Sequence, residues 1–192
     1  MINVLLLSLI TGCHVPVLTS PQETGEWTAP LNDWPSNPPP DNLEEQGFED
    51  GETALDLQFI DQNGDSVSLW QFYGYTVLID ISSEWCAPCK ELANEVEPTQ
   101  QDYAEQGFIY LTILAEDNTS QLPNEDTLNK WASDHNIETV PVLGPKADYR
   151  STLVPTGAYP RLILLNDKLT VIKSNIQPVE DRTIRAAIES AL

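Results

Sequence analysis

Cys86 and Cys89 stand three residues apart around Ala87 and Pro88, with Trp85 before them and Lys90 after. Thiolates attack disulfides and ligate soft metals, so the pair admits thiol-disulfide exchange, metal binding or a purely structural disulfide. Structural zinc ordinarily takes four ligands, and the only histidines to add are His14 and His135, so no metal site is expected. A loop this short gains little closure entropy as a structural cross-link, and a flanking Trp and an intervening Pro do not serve that purpose. A peroxidase would need a Pro-x-x-x-Thr-x-x-Cys arrangement, which is absent. Disulfide exchange is therefore the chemistry the pair suits. The alternative is a non-catalytic binding module in which an oxidising compartment maintains a structural disulfide.

That chemistry depends on where the sulfurs sit. Residues 76–81 form a nearly continuous apolar run, as in a strand buried on both faces. Residues 87–106 carry Leu92, Val96 and Tyr103 at helical spacing, with Gly107 as a C-terminal cap and a kink expected at Pro98. Cys86 thus falls at a helix start, where unpaired N–H groups and the positive dipole end favour thiolate; it is the expected nucleophile. Cys89, one turn later, is close enough to close a disulfide but more buried and less ionised, which makes it the expected resolving thiol. Pro88 suits the first helical turn, where its missing N–H is not needed, and stiffens the loop between the sulfurs. Asp80 interrupts the apolar strand, and burial there raises the pKa of an unpaired carboxyl. Glu84 and Lys90 read as surface charges, and Trp85 as an apolar contact that shields the disulfide.

The flanking elements complete an α/β pattern. Leu55, Leu57 and Phe59 alternate with polar residues, and the Asn63-Gly64 turn leads to Val67 and Leu69, which predicts a hairpin. A strand is expected over 108–114, a helix over 126–135 with Leu128 and Trp131 inward, strands over 161–165 and 169–172, and a closing helix over 179–192.

The segment 77–90 resembles the active-site strand and helix start of thioredoxins, sharing Trp-Cys-x-Pro-Cys-Lys and an acid six residues before the first Cys. The upstream hairpin and the inserted helix before the last strands make the TlpA and ResA-like branch of exported thiol-disulfide oxidoreductases the closer likeness. The resemblance implies a thioredoxin-like three-layer sandwich over residues 51–192 that works without a cofactor beyond the redox-active Cys86–Cys89 disulfide. It further implies that Asp80 helps to deprotonate the resolving Cys. The segment 156–163 resembles the loop carrying the cis-proline of this fold. Pro160 is then the cis residue, and the backbone of Tyr159 is exposed for strand-like pairing with a substrate near Cys86. Tyr159 and Arg161 depart from the small or β-branched residues common there; Arg161 would favour the Cys86 thiolate if it pointed that way. The partners implied are disulfide-containing or dithiol protein clients and a membrane electron donor.

Thirty acidic against nine basic side chains give a formal net charge of -21, which excludes nucleic acid and anionic lipid as partners for the body of the protein. Residues 2–10 are almost entirely apolar, too short a stretch to span a bilayer, and lead into Ile10-Thr11-Gly12-Cys13. This resembles a bacterial lipoprotein signal over residues 1–12, although no Lys or Arg precedes the apolar run. Cys13 would then be the lipidated N-terminus, with membrane contact through that anchor only. His14 stands where Asp would mark inner-membrane retention, which mildly favours the outer membrane of the cell envelope, facing the periplasm. Residues 13–50 contain Pro16, Pro21, Pro30, Pro35 and Pro38-Pro39-Pro40 and read as an extended, acidic tether.

Overall fold

A computed structural model describes residues 27–192. The expected signal at residues 1–12, Cys13 and the first part of the tether lie outside the described residues.

Seven strands form one mixed sheet. β1 (Gln58–Asp61) and β2 (Ser66–Ser68) pair antiparallel with Phe59 opposite Val67. Asp61 Oδ1 accepts the backbone N–H groups of Asn63 and Asp65, both at 2.9 Å, and closes the turn in which Gly64 takes a φ of 83°. β3 (Thr76–Ser83) is buried along its whole length and lies parallel to β4 (Phe108–Glu116). β5 (Val142–Pro145) joins β4 in parallel and β1 antiparallel. β6 (Arg161–Leu165) runs antiparallel to β3, and β7 (Val171–Lys173) closes that side, giving the order β2-β1-β5-β4-β3-β6-β7.

The layers on the two faces are unequal. Helices α1 (Ala87–Ala93), α2 (Val96–Tyr103), α3 (Glu125–Asp134) and α5 (Asp181–Glu189) pack Leu92, Val96, Leu128, Trp131, Ile184 and Ile188 against Leu78, Tyr110, Leu162 and Leu164 on one face. The opposite face buries Phe59, Ile79, Ile81 and Ile163 beneath a 3-10 turn at Leu69–Gln71, the short α4 (Arg150–Leu153) and the N-terminal segment. Alternation along β3 sorts its side chains: Val77, Ile79 and Ile81 enter this second core, so Leu78, Asp80 and Ser82 face the helices.

Three expectations need correction. The helix expected over 87–106 is two helices, and the break falls at Asn94 and Glu95 rather than at Pro98. At the junction the Glu95 N–H turns to the Leu92 carbonyl at 2.9 Å. Pro98 thereby becomes the third residue of α2, where its missing N–H costs no intrahelical hydrogen bond. β5 has no counterpart among the expected strands, because Pro141, Gly144 and Pro145 crowd a stretch of four strand residues. Gly144 is needed there: a Cβ would meet Leu128 Cδ1 at 3.1 Å and the Pro123 carbonyl at 3.2 Å, so α3 sits on bare backbone.

The third correction concerns the tether, which over its described part is fastened to the domain. Asn32 Nδ2 donates to the Ser66 carbonyl at 2.7 Å, Trp34 Nε1 to Asp61 Oδ2 at 2.6 Å and the Asn37 N–H to the Gln71 carbonyl at 2.8 Å. The fully buried Gln71 returns bonds to Asn32 Oδ1 and the Pro35 carbonyl. Phe48 is buried in the second core. Gly51 and Glu52 then pair with Val171 through two 2.8 Å backbone bonds and cover the open edge of β7.

Candidate active site

β3 delivers the chain to the site and α1 receives it. Cys86 is the N-cap of α1, its Sγ accepts the Cys89 N–H at 3.2 Å, and Pro88 sits in the first turn. The two sulfurs are joined as a disulfide. Cys86 retains 4% exposure and Cys89 none, so the sulfur open to attack or departure is that of Cys86. Cys89 packs with Leu92 and Ala93 in the helical core, as the seven-residue helix places it on the inner face.

Asp80 lies on the same face of the sheet and is wholly buried. Its Oδ1 accepts the Ser82 hydroxyl at 2.8 Å, whereas Oδ2 has no partner. Burial pushes this carboxyl up to about 7, and the Ser82 hydrogen bond works against the rise. Thr112 faces Asp80 across the β3–β4 ladder, and its Oγ1 is unpartnered too. Tyr110, equally buried, is raised well above its ordinary value by burial and then by the Asp80 charge. Among the described residues no cation pairs with Asp80.

The cis peptide falls at Tyr159–Pro160, as the resemblance implied; a second joins Gln177 to Pro178. Tyr159 packs against both cores, and its ring meets Trp85 edge to face at 5.5 Å. Neither the N–H nor the carbonyl of Tyr159 makes a backbone hydrogen bond among the described residues. Trp85 is 48% exposed, and its indole N–H donates to Glu116 Oε2 at 2.9 Å.

Arg161 does not serve the thiolate. It pairs with Ile81 in the β3–β6 ladder and so enters the face opposite the dithiol. There its guanidinium donates to the carbonyls of Ser174, Thr152, Leu153 and Phe48, with Glu49 at 3.8 Å. Arg161 still forms part of the wall of a cleft beside Pro160, with Thr156, Ala158, Ser174 and Gln177. Glu84 is structural, its Oε2 accepting the Asn118 N–H at 3.0 Å, and Lys90 stays exposed.

Sequence reasoning passed over Ser82 and Glu116. Neither has a signal of its own: Ser82 is a small polar residue at a strand end, and Glu116 is one acid among thirty in the chain. Among the described residues no group of three His, Cys, Asp or Glu side chains is placed to hold a metal ion.

An antiparallel-edged sheet with a disulfide at a helix start, a buried acid on the same sheet face and a cis-proline after a tyrosine that packs on Trp85 defines a thioredoxin-like thiol-disulfide oxidoreductase. The chain matches the Redoxin family over residues 49–192 and belongs to it. A thioredoxin-like protein of Bacillus subtilis strain 168, YneN, is 28% identical over 128 residues, covering 65% of this chain and 69% of that protein. Two solved structures share the fold. A thiol:disulfide interchange protein from a Bacteroides species aligns with a TM-score of 0.60 at 21% identity, over 74% of this chain and 89% of that one. The thioredoxin domain of a thiol-disulfide oxidoreductase from Bacteroides vulgatus gives 0.60 at 20% identity, over 75% and 99%.

Proposed function

We propose that the protein reduces disulfides of exported protein clients through Cys86 and Cys89, with Asp80 moving the proton. The Cys86 thiolate attacks one sulfur of a client disulfide, forming a mixed disulfide and expelling the client's other sulfur as thiolate. Cys89 gives its proton to the ionised Asp80 and attacks Cys86 Sγ, which forms the Cys86–Cys89 disulfide and releases the second client thiolate. Two electrons pass to the client, and a membrane electron donor restores the dithiol. The placement of Asp80 supports this reading most directly, because a carboxyl that titrates near 7 both accepts and returns a proton at neutral pH. The unpaired backbone of Tyr159 offers the client a strand to pair with. Trp85, Pro88 and Tyr159 frame the client, while Arg161 contributes through the wall of the cleft beside Pro160.

The same reading places residues 1–12 as a lipoprotein signal and Cys13 as the lipid-bearing residue, with the outer membrane favoured through His14. Among the described residues no helix is long and apolar enough to cross a membrane. The reduction potential of the Cys86–Cys89 pair, equilibrated in graded dithiothreitol buffers, tests the direction. A reductase is expected near the thioredoxin value of about -270 mV. A potential near about -120 mV would make the protein an oxidant, and resistance to reduction below about -300 mV would leave the redox-silent binding module.

A further inference from the structure

Glu116 ends β4, and its side chain is only 13% exposed. Its two oxygens have different tasks: Oε2 accepts the Trp85 indole N–H at 2.9 Å and Oε1 accepts Arg150 Nη1 at 3.0 Å. Arg150 is itself fixed, since Nε and Nη2 donate to the two carboxylate oxygens of Asp148 at 2.8 and 2.6 Å. The Glu116 carboxylate also bears on Tyr159, whose phenol is pushed up to about 12 by burial and then by the Glu116 charge. One side chain thus links the residue before the nucleophile, the start of α4 and the residue before the cis-proline. Trp85 is half in solvent, so the hydrogen bond to Glu116 is what holds the indole at one angle against Tyr159.

We propose that Glu116 is a positioning residue for client entry, holding the Trp85–Tyr159 pair so that an extended protein segment can reach both Cys86 and the free backbone of Tyr159. The proposal rests on the exchange reading above. A small disulfide needs only the Cys86 sulfur, so the effect of Glu116 falls on protein clients. A carboxylate suits the place because it offers acceptors to both donors, with Arg150 shared between it and Asp148; an amide has one acceptor oxygen only.

The test uses pre-reduced protein in single turnover, with insulin as the protein disulfide and oxidised glutathione as the small one. Glu116→Gln is expected to lower the ratio of the two second-order rate constants about tenfold, the scale of losing one charge-assisted hydrogen bond. In a Trp85→Phe/Tyr159→Phe background the same substitution is expected to lower it no further, because the groups Glu116 acts through are gone. An unchanged ratio, or the same tenfold loss in that background, overturns the proposal. Should Glu116→Gln lose both rates together, Arg150→Gln decides: a selective loss with insulin upholds the proposal and any other result overturns it. Wild-type protein inert toward both disulfides overturns the exchange reading first, and this proposal with it.

Discussion

Replacing Asp80 by Asn is expected to make the protein more stable and slower. The carboxyl titrates near 3.8 when solvated and is pushed up to about 7 in the fold by burial, with Ser82 pulling the other way. As pH rises between those values the unfolded chain sheds the proton while the folded chain keeps it, so stability falls across that window. Below it the carboxyl carries no penalty; above it the penalty is complete. At about 1.4 kcal/mol per pH unit, a gap of this width amounts to about 4 kcal/mol at most. The amide of Asp80→Asn would stay neutral throughout and keep an oxygen for the Ser82 hydroxyl. Urea unfolding of the oxidised protein at several pH values from 4 to 8 reads the difference directly. The variant is expected to gain on the wild type steadily from pH 4 to 7 and then hold its lead. Its insulin-reduction rate at pH 7 is expected to fall about a hundredfold, the lower range for loss of a general base. A stability difference that is flat across pH would show that burial does not raise the Asp80 carboxyl, whatever the rate does.

Ser82→Ala removes the one hydrogen bond that favours the ionised Asp80, so the inflection in the pH–rate profile is expected to move up by about one pH unit. An unmoved inflection would place the titration elsewhere. Arg161→Met strands the carbonyls of Ser174, Thr152, Leu153 and Phe48, and is expected to cost about 3 kcal/mol in urea unfolding. The Cys86 thiolate, followed by its ultraviolet absorbance against pH, is expected to titrate as in the wild type; a changed titration would show that Arg161 reaches the site after all. Glu97 loses solvent on burial, yet bonds from Thr139, Glu138 and Gln101 hold it below the usual carboxylate range. Its contribution is present at neutral pH and lost as pH falls through the lowered value. Glu97→Gln is therefore expected to cost about 2 kcal/mol at pH 7 and progressively less in acid, as read by thermal melts.

The elements that carry the chemistry were legible because each states its period or its chemistry locally. A run such as Val77 to Ile81 has few fates besides a central strand, and a Cys-Ala-Pro-Cys stretch after it fixes where a helix begins. Asp80 could be assigned to a buried position because it interrupts that run. β5 was illegible, since its prolines and glycine argue against a strand and only the packing of Leu128 on Gly144 makes room for one. The direction of Arg161 was hidden for a different reason. The cis-proline loop gives no periodicity from which to count faces, and only the pairing of Arg161 with Ile81 settles that it points away from the sulfurs. Glu116 and Ser82 act through partners in other segments or through strand-end geometry, which single residue types do not announce.

Were Cys13 lipidated as proposed, the fastening of the N-terminal segment would set how far the domain could stand from the membrane. Were all of residues 13–50 unfastened, a lipid on Cys13 would let the body drift about 125 Å from the membrane at full extension. Asn32 is already bonded to Ser66, so at most the nineteen steps from Cys13 to Asn32 would count toward that distance. Their full stretch is about 65 Å, roughly half the first figure. Were the proposed lipid on Cys13 to hold the domain, clients and the electron donor would have to present their sulfurs within that distance of the bilayer plus the width of the domain.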